Sequence, residues 1–170
     1  MGLPRGFLGE YNDDRTFDFI SARHGFPSTE EDSVGTRAHQ DVGCITFVLQ
    51  DGVGGLEVLR PDGGGWAPVE PVEGSIVVNV GDVVQVLSND RFRSATHRVV
   101  RKPGKHRYSL IFFFNVHGDK WVEPLPEFLG GEARRYRGFR YGEYLKLRGD
   151  KTRSVSRPED VVDITHYAIS

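Results

Sequence analysis

"RAHQDVGCITFVLQDGVGG", residues 37–55, decides the fold. Two good metal-binding side chains, His39 and Asp41, stand immediately before the apolar run Cys44-Ile45-Thr46-Phe47-Val48-Leu49, and the stretch closes on glycines. A short run of Ile, Phe and Val bounded by glycine reads as a buried strand. Along a strand, residues i and i+2 point to the same side, so the His39 imidazole and the Asp41 carboxylate would aim at one point. The pair is either the open jaw of a metal site or a polar rim at the mouth of a strand. Taken alone, an H-x-D pair favours the rim.

Working outward, the text from 43 to 116 is β throughout. Short apolar runs recur at Ile45–Leu49, Leu56–Leu59, Ile76–Val80, Val83–Leu87, His97–Val100 and Tyr108–Asn115, separated by glycine-rich or polar turns. Even spacing of short strands predicts a sandwich or jelly roll. Asp62–Gly65 and Ser88–Asp90 read as hairpin turns, and Gly81-Asp82 as a tight turn between two core strands. Residues 1–36 read as turns and loops, except for one short strand at Phe17–Ile20. Beyond 117, Glu132–Tyr136 and Tyr141–Arg148 read as a charged helical tail, interrupted by Gly138 and stopped at Gly149. Val161–Thr165 reads as an edge strand or an irregular end.

The bulk composition narrows the function. The chain has 170 residues, enough to bury a core, with 11 Phe, 6 Tyr and 2 Trp. Lysine and arginine (22) nearly balance aspartate and glutamate (24), for a net charge of −2, which gives no support to a nucleic-acid or anionic-membrane partner. A single cysteine excludes an internal disulfide and fits a reducing compartment. No stretch nears the ~20 apolar residues needed to span a bilayer. The expectation is a cytoplasmic protein, without membrane or nucleic-acid partners, working as a monomer.

Four downstream histidines could complete a site of two imidazoles and one carboxylate, the donor set of non-haem ferrous oxygenases. His106 and His117 lie in polar, turn-like text, and His166 lies near the C-terminus. His97, in "RSATHRVV", opens an apolar strand and is the best placed. Ten residues on, Arg107 and Ser109 in "RYSLIFFFN" form another i, i+2 pair, offering a guanidinium fork and a hydroxyl to an anionic guest. H-x-D, a later strand histidine and R-x-S together favour the metal reading over the rim.

These motifs, together with "AHQDVGCITFVLQDGVGGLEVL", "WAPVEPVEGSIVVNVGDVVQVLSNDRFRSATHRVV" and "HRYSLIFFFN", resemble the plant-type 2-oxoglutarate- and Fe(II)-dependent dioxygenases. That branch includes flavonol synthase, anthocyanidin synthase, the gibberellin oxidases and the aminocyclopropane-carboxylate oxidases. The resemblance implies a mainly β double-stranded β-helix (a jelly roll) with a C-terminal helical tail. It implies a division into residues 1–36, the remnant of an N-terminal region; 37–118, the jelly-roll core; and 119–170, the tail and extension. His39, Asp41 and His97 would be the iron ligands, Arg107 and Ser109 the clamp on 2-oxoglutarate, and Phe113 a substrate contact. The implied reaction is O2-dependent hydroxylation or desaturation of a small organic metabolite or hormone, with release of succinate and CO2 and ascorbate as reductant. Asn115 stands where flavonoid-acting members carry glutamate, which argues against a flavonoid.

Two departures stand out. The family is about twice this length, with an N-terminal region that buttresses the jelly roll, so apolar surface is expected to be exposed here. The family's Asn-x-Tyr pair, whose hydroxyl touches 2-oxoglutarate, aligns with Arg23 and Gly25, and His24 reads as a loop histidine. Cys44 reads as a buried small apolar residue. The competing expectation is a truncated, inactive jelly-roll binding module; a third is an enzyme that uses ascorbate in place of 2-oxoglutarate.

Overall fold

The computed structural model describes residues 2–12, 15–29, 33–154 and 162–169, with side chains 150–154 outside that description. Eight strands build two facing antiparallel sheets. They are β1 (Phe19–Gly25), β2 (Val34–His39), β3 (Ile45–Gln50), β4 (Leu56–Leu59), β5 (Trp66–Pro68), β6 (Val77–Val80), β7 (His97–Val100) and β8 (Arg107–Phe114). The first sheet runs β1-β8-β3-β6 and the second β2-β7-β4-β5, so successive strands alternate between sheets as in a jelly roll, except at the β4–β5 hairpin. Alternation of side chains sets the inner face. Phe19, Phe113, Thr46 and Asn79 form one row across the first sheet, and Arg23, Ser109 and Gln50 another. The turn between β3 and β4 passes through Gly55 at φ 93, where a Cβ would meet the Val100 carbonyl at 2.3 Å.

The sheets enclose a chamber rather than a dry core. The densest apolar packing sits at one end, where Cys44, Val83, Val86, Leu87, Val116, Tyr141, Tyr144 and Ile164 are all but inaccessible. It joins helix α2 (Asp82–Leu87) to helix α4 (Tyr141–Ser154) and to a 3-10 turn at Ile164–Tyr167; two further helices, α1 (Phe7–Tyr11) and α3 (Pro126–Leu129), are short. The outer face of the first sheet is different: Ile20, Leu49, Val78 and Leu110 lie exposed and contiguous. This is the apolar surface expected above.

Several local readings change. Val83–Leu87 is helix, not strand; every residue of α2 is buried, and a short apolar run buried on all sides carries no period by which to tell the two apart. Gly81 is therefore the residue before a helix, Asp82 is a fully buried helical residue instead of a turn former, and Ser88–Asp90 is a helix exit with left-handed Asn89 and Asp90. Residues 1–36 hold β1 and the first half of β2, so strands of both sheets come from text read as loops; the strand expected at Phe17–Ile20 begins at Phe19, and His24 lies on it. Most side chains of both strands are exposed, and small or charged residues such as Ser21, Arg23, Gly25, Gly35 and Arg37 interrupt their apolar positions, which hid the pattern. Glu132–Tyr136 is not helical, and α4 runs through Gly149 to Ser154. Val161 lies outside the described residues. The Asp62–Gly65 hairpin turn stands where expected, between β4 and β5.

Candidate metal centre

His39 and His97 are cross-strand partners on β2 and β7, with ring centroids 4.3 Å apart. Asp41 is not on the strand; β2 ends at His39, and Asp41 sits in the loop that follows. It reaches the histidines all the same. Its Oδ1 lies 3.7 Å from His39 Nε2 and 3.8 Å from His97 Nε2, and the three candidate donor atoms fall within 4.8 Å of one another. Asp41 and His97 are buried, whereas the His39 side chain is 38% exposed.

The surroundings orient each donor. His39 Nδ1 faces the Arg37 carbonyl at 2.8 Å, and His97 Nδ1 faces the Ala95 carbonyl at 3.0 Å. A carbonyl can only accept, so Nδ1 carries the proton in both rings, and both Nε2 lone pairs point inward. Asn79 donates to Asp41 Oδ2 at 3.3 Å, leaving Oδ1 toward the imidazoles. The Asp41 loop is gripped by the first turn of α2: the amides of Gly81, Asp82 and Val83 donate to the carbonyls of Cys44, Asp41 and Gly43. Burial pulls the His39 pKa below its ordinary value, and the neighbouring His97 pulls it further. Two neutral imidazoles and a carboxylate, with free faces on one side, fit a divalent transition metal such as ferrous iron.

Arg107 lies in the same cavity, of about 110 Å³. It is buried, and donates to the Gly54 carbonyl (2.8 Å), Ser109 Oγ (3.1 Å) and Gln50 Oε1 (2.9 Å). Desolvation lowers its pKa, with Asp51 opposing. Phe113 also faces this cavity, stacked on Phe19 at 4.5 Å, while Phe112 points to the outer face against Phe47. A second, wider cavity of about 570 Å³ opens from it, sharing His39, Asp41 and Phe113; Phe17, Tyr141, Leu145 and Arg148 contribute to its wall. Arg148 donates to the Gln40 and Val162 carbonyls, tying α4 to the metal loop.

The other histidines stay outside. His24 and His106 pair at 2.9 Å on the exterior, His117 sits beside Asp119, and His166 is on the 3-10 turn. Sequence reading passed over Asn79 and Gln50. Gln50 and Asn79 announce themselves only through cross-strand register with Ser109 and Thr46. Asn115, read as a substrate determinant, is buried; it donates to the Phe17 carbonyl and accepts from Tyr141 Oη at 3.4 Å.

The chamber of this jelly roll gathers two imidazoles, one carboxylate and a buried arginine, a donor set that could hold one divalent metal ion. The chain belongs to the 2OG-Fe(II) oxygenase superfamily, whose description matches residues 16–116. It is 42% identical over 115 residues to a feruloyl CoA ortho-hydroxylase of Ipomoea batatas, covering 67% of this chain and 32% of the relative. It is 44% identical over 113 residues to the 2-oxoglutarate-Fe(II) type oxidoreductase hxnY of Emericella nidulans, covering 65% and 32%. Among solved structures it resembles the rice dioxygenase for auxin oxidation (TM-score 0.73, 35% identity, 88% of this chain and 51% of that one). It also resembles JOX2 in complex with 2OG, Fe and JA (TM-score 0.75, 29% identity, 82% and 41%). The chain spans about a third of the length of the curated relatives it matches.

Proposed function

We propose that this chain carries the catalytic centre of an Fe(II)- and 2-oxoglutarate-dependent oxygenase that hydroxylates or desaturates a small organic metabolite, with release of succinate and CO2. The observation that carries the reading is the placement of the His39, Asp41 and His97 donor atoms in one small cavity with Arg107. In this reading those three residues hold ferrous iron, and Arg107 and Ser109 take the distal carboxylate of the keto acid. Bound iron supplies activation of O2 coupled to oxidative decarboxylation of the keto acid. The chain's own part is to fix both imidazoles in the Nδ1–H tautomer, to hold the co-substrate by a desolvated guanidinium, and to wall the chamber from water with Val48, Leu56, Val99 and Ile111. The substrate occupies the wider cavity, its apolar body against Phe17, Phe19 and Phe113. Ascorbate as reductant, a monomeric state and a cytoplasmic location, without nucleic-acid or membrane partners, complete the proposal; among the described residues no helix is long and apolar enough to cross a membrane.

Succinate release from 2-oxoglutarate with Fe(II) and ascorbate, compared in air and under nitrogen, tests this reading. Oxygen-dependent turnover abolished by His97→Ala supports it. A folded protein that binds metal without any turnover would favour the inactive-module reading. Turnover with ascorbate after the keto acid is omitted would favour an enzyme that dispenses with 2-oxoglutarate.

A further inference from the structure

The loop joining β7 to β8, with the first residue of β8, reads "RKPGKHR", residues 101–107: four permanent cations in seven positions. Of these, Arg107 also lines the chamber of the candidate metal centre. The other three gather around a separate concavity of about 170 Å³ at the end of the jelly roll, together with Arg23 from β1. Arg23, Arg101, Lys102, Lys105 and Arg107 all line it, and among the described residues no carboxylate does. Arg23, Arg101, Lys102 and Lys105 make no ion pair among the described residues. The carboxylate that acts on Arg107 is Asp51, whose two oxygens accept the Val53 and Tyr108 amides.

Missing side chains open this concavity. Gly25 is the cross-strand partner of Arg107, and a Cβ there would lie 3.5 Å from the Arg107 Cβ. Any larger side chain at 25 would project over the arginine and close that end of the chamber. At Gly35 a Cβ would lie 3.4 Å from Arg101 Cγ, so the Arg101 side chain lies across that glycine. The concavity shares Arg23, Thr36, Val99 and Arg107 with the metal chamber, so the clamp arginine is approached from both sides. Five cations around one hollow, Arg107 buried and Arg23, Arg101 and Lys105 exposed at its rim, repel one another and set up a positive potential that a multivalent anion relieves.

We propose that this hollow is a second anion site, which takes a small multivalent oxyanion, a polycarboxylate or phosphate, against Arg23, Arg101, Lys102 and Lys105 on the outer side of the clamp. It adjoins the co-substrate site without being part of it. An anion there also lowers the positive potential at Arg107, so it weakens 2-oxoglutarate binding instead of replacing it.

The test titrates the metal-free chain with citrate, and separately with inorganic phosphate, by calorimetry at low ionic strength. The expected result is saturable binding of one anion, weakened at least tenfold in the Arg101→Gln/Lys105→Gln double variant and retained in Ser109→Ala. Both substituted cations are exposed, so the double variant is expected to fold, and circular dichroism checks it. The absence of saturable binding of either anion overturns the proposal. So does binding that the double variant leaves unchanged, or binding lost in Ser109→Ala or blocked outright by saturating 2-oxoglutarate, since those place the anion in the clamp. No metal is needed, so failure here leaves the oxygenase reading standing, and failure of turnover leaves this one standing.

Discussion

Gly81→Ala should separate the metal loop from its support without touching a ligand. Gly81 is extended, at φ −100 and ψ 175, a conformation open to alanine, so the cost is not backbone strain. It is contact: the new Cβ would lie 2.2 Å from the Gly43 carbonyl oxygen, 2.8 Å from its carbon and 3.0 Å from the Asp41 carbonyl oxygen. Ordinary contact begins near 3.4 Å, and the obstructing atoms are backbone, which cannot swing aside. The 41–44 loop must therefore move by about 1 Å, against amide bonds of 2.8, 2.8 and 3.0 Å from Gly81, Asp82 and Val83. Overpacking of this kind costs about 1–3 kcal/mol, and weakening two of those bonds adds about 1–2 kcal/mol. Because the same loop aims Asp41, metal affinity should fall by about 10–100-fold, as when a ligand loses its outer support. The assay is cobalt(II) titration followed by visible absorption, beside thermal melts of the metal-free protein. Gly63→Ala is the control: φ is 77 with nothing within 4 Å, so it should cost about 1 kcal/mol and leave the metal alone. Equal metal affinity in wild type and Gly81→Ala would refute the idea that α2 positions Asp41.

Further outcomes follow from individual residues. His39 has its pKa lowered on folding from the ordinary 6.5, so the folded state binds fewer protons there than the unfolded state. That contribution to stability is complete above pH 6.5 and is lost as pH falls through the window below it, so urea midpoints of the metal-free chain should drop as pH falls below 6.5, and His39→Ala should flatten the drop. Tyr144→Phe removes the donor at 2.7 Å from buried Asp82, whose pKa burial already raises. A raised carboxyl pKa means that stability falls as pH rises past it, so the loss, about 1–3 kcal/mol, should be larger at pH 7 than at pH 4 in chemical denaturation. Asn79→Ala frees Asp41 Oδ2 and should weaken metal binding by about tenfold with little change in melting temperature.

Much of the fold was legible because exposed strands alternate and turns are marked by glycine. β3, β4, β7 and β8 read correctly for that reason. β1 was not legible beyond its start: its inner positions after Phe19 are Ser21, Arg23 and Gly25, small or charged residues that imitate a loop. α2 failed for the opposite cause, since burial on every side erased any polar stripe. The candidate site was legible because a metal would need fixed residue types at short spacing, as at His39 and Asp41, which the fold does bring beside His97. Its supports were not, because Asn79, Gln50 and the amides of α2 reach the ligands through register and a helix start, neither of which the text displays.

The most direct measurement is anaerobic titration of the chain with ferrous iron, with the bound ion characterised by X-ray absorption. The account predicts one ion per chain with two imidazoles in its coordination shell, lost in both Asp41→Ala and His97→Ala. An ion held without imidazole, or bound as tightly after His97→Ala as before, would contradict it.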